Sequence, residues 1–201
     1  MPLVLVPTAR WPRWVDNFTA SHGATELAVG DGGLRGSAED GSSFSARLPL
    51  ATTYDGPAEA AAFAEAAVPP AQWGVLLVRK GGFAIARMER ATMVEHKIGQ
   101  RHVQGRTKAG GQSQQRFARR RDNQARQAYE AAAEHASRIL VGAERVVTGG
   151  DHAAVDAVLA DRRLAHVAVV GPWLAVPDPR RAVLDQAIAD AGSIEVEVSN
   201  A

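Results

Sequence analysis

Residues 105–121, GRTKAGGQSQQRFARRR, put two adjacent glycines and a glutamine into a basic stretch that runs directly into an arginine-rich helical pattern. Ser113 can cap that helix, and Phe117, Ala125, Ala128, Tyr129, Ala132, Ala136, Ile139 and Leu140 recur along it at helical spacing. Gly142 stands just past the last apolar position, where a helix commonly ends. Arg116, Arg119, Arg120 and Arg126 fall largely on other faces. The pattern predicts one long helix, anchored by its C-terminal part and basic in its N-terminal part, preceded by a basic loop.

Charge is concentrated here. From Lys97 to Arg126 the cations are Lys97, Arg101, Arg106, Lys108, Arg116, Arg119, Arg120, Arg121 and Arg126, against the single acid Asp122. These thirty residues carry +8 in a chain whose net charge is +1, so the remainder carries −7. A compact basic element on an acidic body is the electrostatic footprint of a protein that meets phosphate backbones. The competing account is a linker followed by a solvated, charged helix start.

Before the loop, Trp73–Arg79 (WGVLLVR) and Phe83–Met88 (FAIARM) flank Lys80-Gly81-Gly82 and read as a β-hairpin, with Met93–Ile98 as a third strand. After the helix, strands and helices alternate: Glu144–Thr148, Ala153–Leu159, His166–Val170, Arg180–Asp190 and Ile194–Val198. This order predicts an α/β fold, a mixed sheet flanked by helices. Asp151, after Gly149-Gly150, suits a helix N-cap. The first seventy residues predict a helix over 11–21 and strands over 25–29, 33–38 and 43–48, with hairpin turns at Asp31-Gly32-Gly33 and Asp40-Gly41. A helix over 57–67 follows, stopped by Pro69-Pro70, the expected boundary between an N-terminal α+β region, 1–70, and a second domain, 71–201.

With 201 residues, 46% of them hydrophobic, the chain can bury a substantial core. It has no cysteine, which excludes disulfides, thiolate metal sites and thiol nucleophiles. No apolar run is long enough to span a bilayer and the N-terminus lacks a secretory pattern, so a cytoplasmic location is expected. Histidines 22, 96, 102, 135, 152 and 166 form no metal-ligand pair, and no metal or cofactor is expected. No Gly-x-Ser-x-Gly, HExxH or Walker motif occurs. The glycines at 30, 32, 33 and 36 lack dinucleotide-fingerprint spacing and read as a hairpin. Asp151, Asp156 and Asp161 do not share a helix face at spacing five and read as capping or solvated acids. Trp11, Trp14, Trp73 and Trp173 read as packing residues.

The chemistry of Gly110-Gly111-Gln112 favours a functional tip. Two residues without side chains let the backbone approach a crowded centre. Gln112 does not titrate near neutrality, so it is no conventional general base, but it can donate and accept hydrogen bonds.

The run Gly110-Gly111-Gln112-Ser113-Gln114-Gln115-Arg116-Phe117-Ala118-Arg119-Arg120-Arg121 resembles the catalytic middle domain of eukaryotic and archaeal class I peptide-chain release factors. His96-Lys97 on the preceding strand and the later VVTGGD segment extend the resemblance over about residues 73–200. No codon-reading or factor-binding domain is evident, so the chain looks most similar to the Vms-like release-factor family, in its actinobacterial type. The resemblance implies a peptidyl-tRNA hydrolase connected with rescue of stalled ribosomes, acting without codon recognition on a large ribosomal subunit at the peptidyl transferase centre. Catalysis then falls to Gly110, Gly111 and Gln112, and rRNA or tRNA phosphates to the nine cations named above. It leaves open a splitting or delivery factor and the role of residues 1–70. Two alternatives remain: endonucleolytic removal of the tRNA 3′ CCA end, and a noncatalytic rRNA-binding factor.

A doubled-back loop over 99–112 reaches about 20 to 25 Å at about 3.3 to 3.6 Å per residue. A loop of this length and composition is expected to be mobile away from the ribosome.

Overall fold

The computed structural model describes residues 3–100 and 112–201, with side chains described except at 100 and 112–125. The chain divides into two compact units. Unit 1 holds Met1–Pro70, Val170–Pro172 and Ile188–Ala201; unit 2 holds Ala71–Val169 and Trp173–Ala187.

In unit 1, β1 (Leu3–Val6) and α1 (Trp11–His22) precede three strands, β2 (Thr25–Gly30), β3 (Gly33–Ala38) and β4 (Ser43–Arg47). The expected β2–β3 turn is present: Asp31 and Gly32 both have positive φ, the geometry of a tight primed turn that follows the right-handed twist of its strands. The short α2 (Ala60–Glu65) replaces the longer helix expected over 57–67. Its start is delayed because Pro57 is held by the Tyr54 hydroxyl, which donates to the Pro57 carbonyl at 2.7 Å, and Glu59 is still extended. The core is aromatic. Trp11, Trp14, Phe18, Phe44 and Phe63 pack in edge-on and stacked pairs, with Trp11 and Trp14 centroids 5.3 Å apart.

Unit 2 begins with β5 (Gln72–Arg79), β6 (Gly82–Glu89) and β7 (Thr92–Gln100), an antiparallel meander turning at Lys80-Gly81. Then come α3 (Gln112–Ile139), β8 (Arg145–Gly150), α4 (His152–Leu159), β9 (Ala168–Leu174) and α5 (Arg181–Ala191), whose last turns belong to unit 1. The sheet order is β7-β6-β5-β8-β9, with β8 parallel to β5. The fold class is therefore the expected mixed α/β. Residues 73–78 of β5 are all buried, as a central strand requires. Leu76, Val78, Ile85 and Val146 meet Ala132, Ala136 and Ile139 of α3, Leu140 just past its end, and Val155 and Val158 of α4 in one cluster. Small alanines on α3 allow that helix to lie close to the sheet. Gly74 serves the same contact, since a Cβ there would strike Leu140 and stand 3.1 Å from the Ala86 carbonyl.

Two further expectations are corrected. The last strand, β10 (Ile194–Ser199), does not extend the α/β layer; it inserts antiparallel between β1 and β4 in the unit 1 sheet, order β1-β10-β4-β3-β2. Its buried Ile194 and Val196 join the aromatic core. The strand expected over 166–170 is displaced to Ala168–Leu174 and runs through Pro172, which is tolerable because β9 is an edge strand. Asp151 is the N-cap of α4, as expected; its carbonyl accepts the Ala154 and Val155 N–H groups, and its side chain makes no cap bond.

Candidate functional site

In the sequence, the basic segment runs from the end of β7 into the start of α3, the two described elements on either side of it. Residues 101–111, with Arg101, Arg106, Lys108, Gly110 and Gly111, lie outside the described residues, as do the side chains of Gln112, Arg116, Arg119, Arg120 and Arg121. What can be built is the frame that presents them.

On β7, Lys97 pairs with Ile85, and Ile85 belongs to the cluster beneath α3. Residues directly opposite in an antiparallel ladder share a face, so Lys97 lies on the α3 side of the sheet, and it is exposed. Glu95, two residues earlier on the same face, reaches Arg138 of α3 at 3.4 Å and Arg87 at 3.9 Å. Gly99 carries the last close contact of β7: a Cβ there would strike the Phe83 ring, which is also 5.7 Å from the His135 ring of α3. Phe83 thus touches both elements that bound the loop.

His96 points to the opposite face. Its Nε2 is 3.3 Å from Arg181 Nη1 at the start of α5. A guanidinium can only donate, so Nε2 is the acceptor. Arg181 is held in turn by Asp185, Nε to Oδ1 at 2.9 Å. Nothing in the linear pattern signalled this contact, which joins residues 85 positions apart.

α3 starts at Gln112 and has 28 residues, about 42 Å at about 1.5 Å per residue. The first buried side chain along it, among those described, is Ala132, about 30 Å along the axis from Gln112. Arg126 is exposed, Ala128 and Tyr129 are half-buried, and burial raises the Tyr129 hydroxyl pKa, with the Asp151 carboxylate adding to the rise. Ala132, Ala136, Ile139 and Leu140 enter the core as the apolar spacing assigned; Ala133 enters it as well without having been assigned, and the side chains of Phe117 and Ala125 lie outside those described.

The remaining candidates resolve into packing. Among the described residues no group of His, Asp and Glu could hold a metal. Asp161 accepts Arg163 in a two-residue turn, which holds its carboxyl at about 2. Trp11 and Trp73 are buried, the latter donating Nε1–H to the Arg90 carbonyl at 2.8 Å. Trp173 is half-buried and stacks on His152 at 3.6 Å. The glycines at 30, 32, 33 and 36 form the β2–β3 hairpin, as expected.

No helix among the described residues is long and apolar enough to cross a membrane. No curated protein matches the chain. A solved structure described as the Vms1 mitochondrial localization core is similar over 82% of this chain and 76% of its own length, at 12% identity and a TM-score of 0.44. A family model described as the Actinobacteria/chloroflexi VLRF1 release factor matches residues 71–197, more than half of the chain and a stretch that encloses β7, the basic segment and α3. The chain belongs to that release-factor family.

Proposed function

We propose that this protein is a peptidyl-tRNA hydrolase that releases nascent peptide from peptidyl-tRNA on stalled large ribosomal subunits, independently of a codon. The observation that carries this reading is the sequence position of Gly110-Gly111-Gln112: within the matched stretch, after the edge strand β7, with Gln112 the first residue of the long α3. The catalytic part lies after Pro70, and residues 1–70 add a packing or ribosome-contacting region.

The reaction adds water across the ester between the peptide carbonyl carbon and the terminal ribose oxygen of tRNA. The carbon–oxygen bond breaks, the peptide leaves as a carboxylate and the tRNA keeps a 3′ hydroxyl. Gly110 and Gly111 let the backbone approach the tRNA end. α3 begins at Gln112, and N–H groups in the first turn of a helix have no intrahelical acceptor and sit at its positive end. The Gln112 N–H therefore suits stabilisation of the developing or leaving oxygen, while its side chain helps to place the water. Lys97, Arg101, Arg106, Lys108, Arg116, Arg119, Arg120, Arg121 and Arg126 hold phosphates of rRNA or tRNA.

The test is peptide release from purified large subunits carrying peptidyl-tRNA, comparing wild type with Gln112→Ala and sequencing the tRNA 3′ ends. Loss of release in the variant and intact CCA in the wild-type product support hydrolysis. Trimmed CCA replaces hydrolysis by endonuclease action. Unchanged release in the variant removes Gln112 from the site, and no release by either protein leaves a noncatalytic rRNA-binding factor.

A further inference from the structure

The chain leaves β9 at Leu174 and crosses the unit 2 sheet to its opposite edge. Arg79 of β5 donates Nη1–H to the Val176 carbonyl at 2.7 Å, and its Nε is 3.6 Å from Asp178. Asp178 also stands against Gly81 in the β5–β6 turn, where a Cβ would lie 3.2 Å from its carboxylate. Three residues later Arg181 meets His96 on β7. The crossing segment thus lays Arg180 and Arg181 from the Lys80 turn to the strand that enters the basic segment.

Five cations gather at this end of the sheet: Arg79, Lys80, Lys97, Arg180 and Arg181. Three carboxylates accompany them: Asp178 and Asp185, which already accept Arg79 and Arg181 respectively, and Asp151, whose N–H donates to the Val78 carbonyl at the end of β5. Lys80, Lys97 and Arg180 are exposed and have no ion-pair or hydrogen-bond partner among the described residues. Both cations of the Arg180-Arg181 pair stand at the start of α5, whose first turn holds no acid to offset the helix dipole. Positive charge at that end is unfavourable within the protein alone. An external anion relieves it.

We infer that Lys80, Arg180 and Arg181 form a second RNA-backbone contact, on the α5 side of β7, that works together with the basic segment when the protein docks on the large ribosomal subunit. RNA fits better than an acidic protein surface because the cations are separate, solvated point charges along one rim, with no apolar anchor among them. Such a surface reads spaced phosphates and not a packed interface. The inference rests on the ribosomal reading above.

The test is equilibrium binding to purified large subunits over a salt series, with wild type, Lys80→Glu/Arg180→Glu, Lys80→Gln/Arg180→Gln and a control, Arg162→Glu. Arg162 is exposed in the turn after α4, at the other end of the unit 2 sheet. The expected result is a roughly tenfold loss of affinity for the reversed pair and a log–log salt slope shallower by about 1.5 to 2. The neutral pair falls between, and the control stays near wild type. Wild-type binding with an unchanged slope in the reversed pair overturns this inference and leaves the ribosomal reading intact. Equal loss in Arg162→Glu also overturns it, because only net charge then matters. Failure of wild type itself to bind subunits sinks the ribosomal reading, and this inference with it. Thermal melts of all four proteins separate lost binding from lost folding.

Discussion

The two units each contain a five-stranded sheet, yet they are built from different materials and carry opposite charge. Unit 1 is wholly antiparallel and packs around Trp11, Phe18, Phe44, Tyr54 and Phe63. Unit 2 includes a parallel pair and packs aliphatic and alanine side chains beneath α3, with Phe83 its one buried phenylalanine among the described residues. Unit 1 has four basic and eleven acidic residues, a net −7; unit 2 has nineteen basic and eleven acidic, a net +8. Outside residues 97–126 unit 2 is balanced, ten against ten, so the basic segment is mounted on a neutral scaffold. The lesson is that a near-neutral chain can hide a strong separation of charge, with the acidic excess kept out of the unit that carries the basic segment.

The largest effect that tests this comparison is on stability. Trp11→Ala removes a fully buried ring from the unit 1 core and is expected to cost about 3 to 5 kcal/mol. Hydrogen exchange locates the damage: protection should fall in β2, β3, β4 and β10 more than in β5, β8 and the C-terminal half of α3. A uniform loss across both sheets would break the picture of two cores.

Next comes a change confined to unit 2. Proline is tolerated at the first helical position but lacks the N–H, so Gln112→Pro removes the proposed donor while leaving α3 its start. Release is expected to fall roughly 100- to 1,000-fold, with subunit affinity within about twofold. Full activity in this variant would assign the oxyanion contact to another donor.

The charge separation itself is sharpened by salt. If about five cations of the basic segment meet phosphates, log affinity for subunits should fall with log salt at a slope near −3.5, taking about −0.7 per contact for single strands. A flat response would mean that the +8 of unit 2 is not an RNA-binding charge.

The smallest effect lies in unit 1. Burial raises the Glu195 carboxyl pKa, more than the neighbouring Arg47 lowers it, with Glu197 adding to the rise. A carboxyl whose folded pKa exceeds its unfolded value favours the folded state at low pH, and that advantage is lost as pH rises through the folded pKa. Glu195→Gln is therefore expected to stabilise by less than about 1 kcal/mol at pH 7, with the gain gone below the ordinary carboxylate range. Melting curves at pH 7 and pH 3.5 measure it; a gain that persists at pH 3.5 would point to packing as its source.

Much of the fold was legible because its signals are local. The Asp31-Gly32 turn, the Lys80-Gly81 turn and the apolar spacing from Ala132 to Leu140 each act within a few residues, and each element formed where its pattern stood. Strand β1 was missed because Leu3–Val6 is short and two of its four residues are exposed. Strand β9 was truncated because Gly171-Pro172 reads as a stop unless the strand is known to be an edge. Of the proposed site, the motif and its charge were legible in the chain, and so was the helix that follows them.

The sequence by itself determined the mixed α/β class, the concentration of positive charge between Lys97 and Arg126, and the glycine pair before a long helix. Only the tertiary structure decided that β10 enters the first sheet between β1 and β4, that Lys97 and His96 fall on opposite faces of β7, and that Arg181 arrives beside His96. The reason is physical. Periodicity and turn chemistry specify which face of an element is apolar and where the chain reverses, but an open strand edge offers the same N–H and C=O groups to every candidate partner. The choice among partners is made by the packing of side chains far apart in the chain.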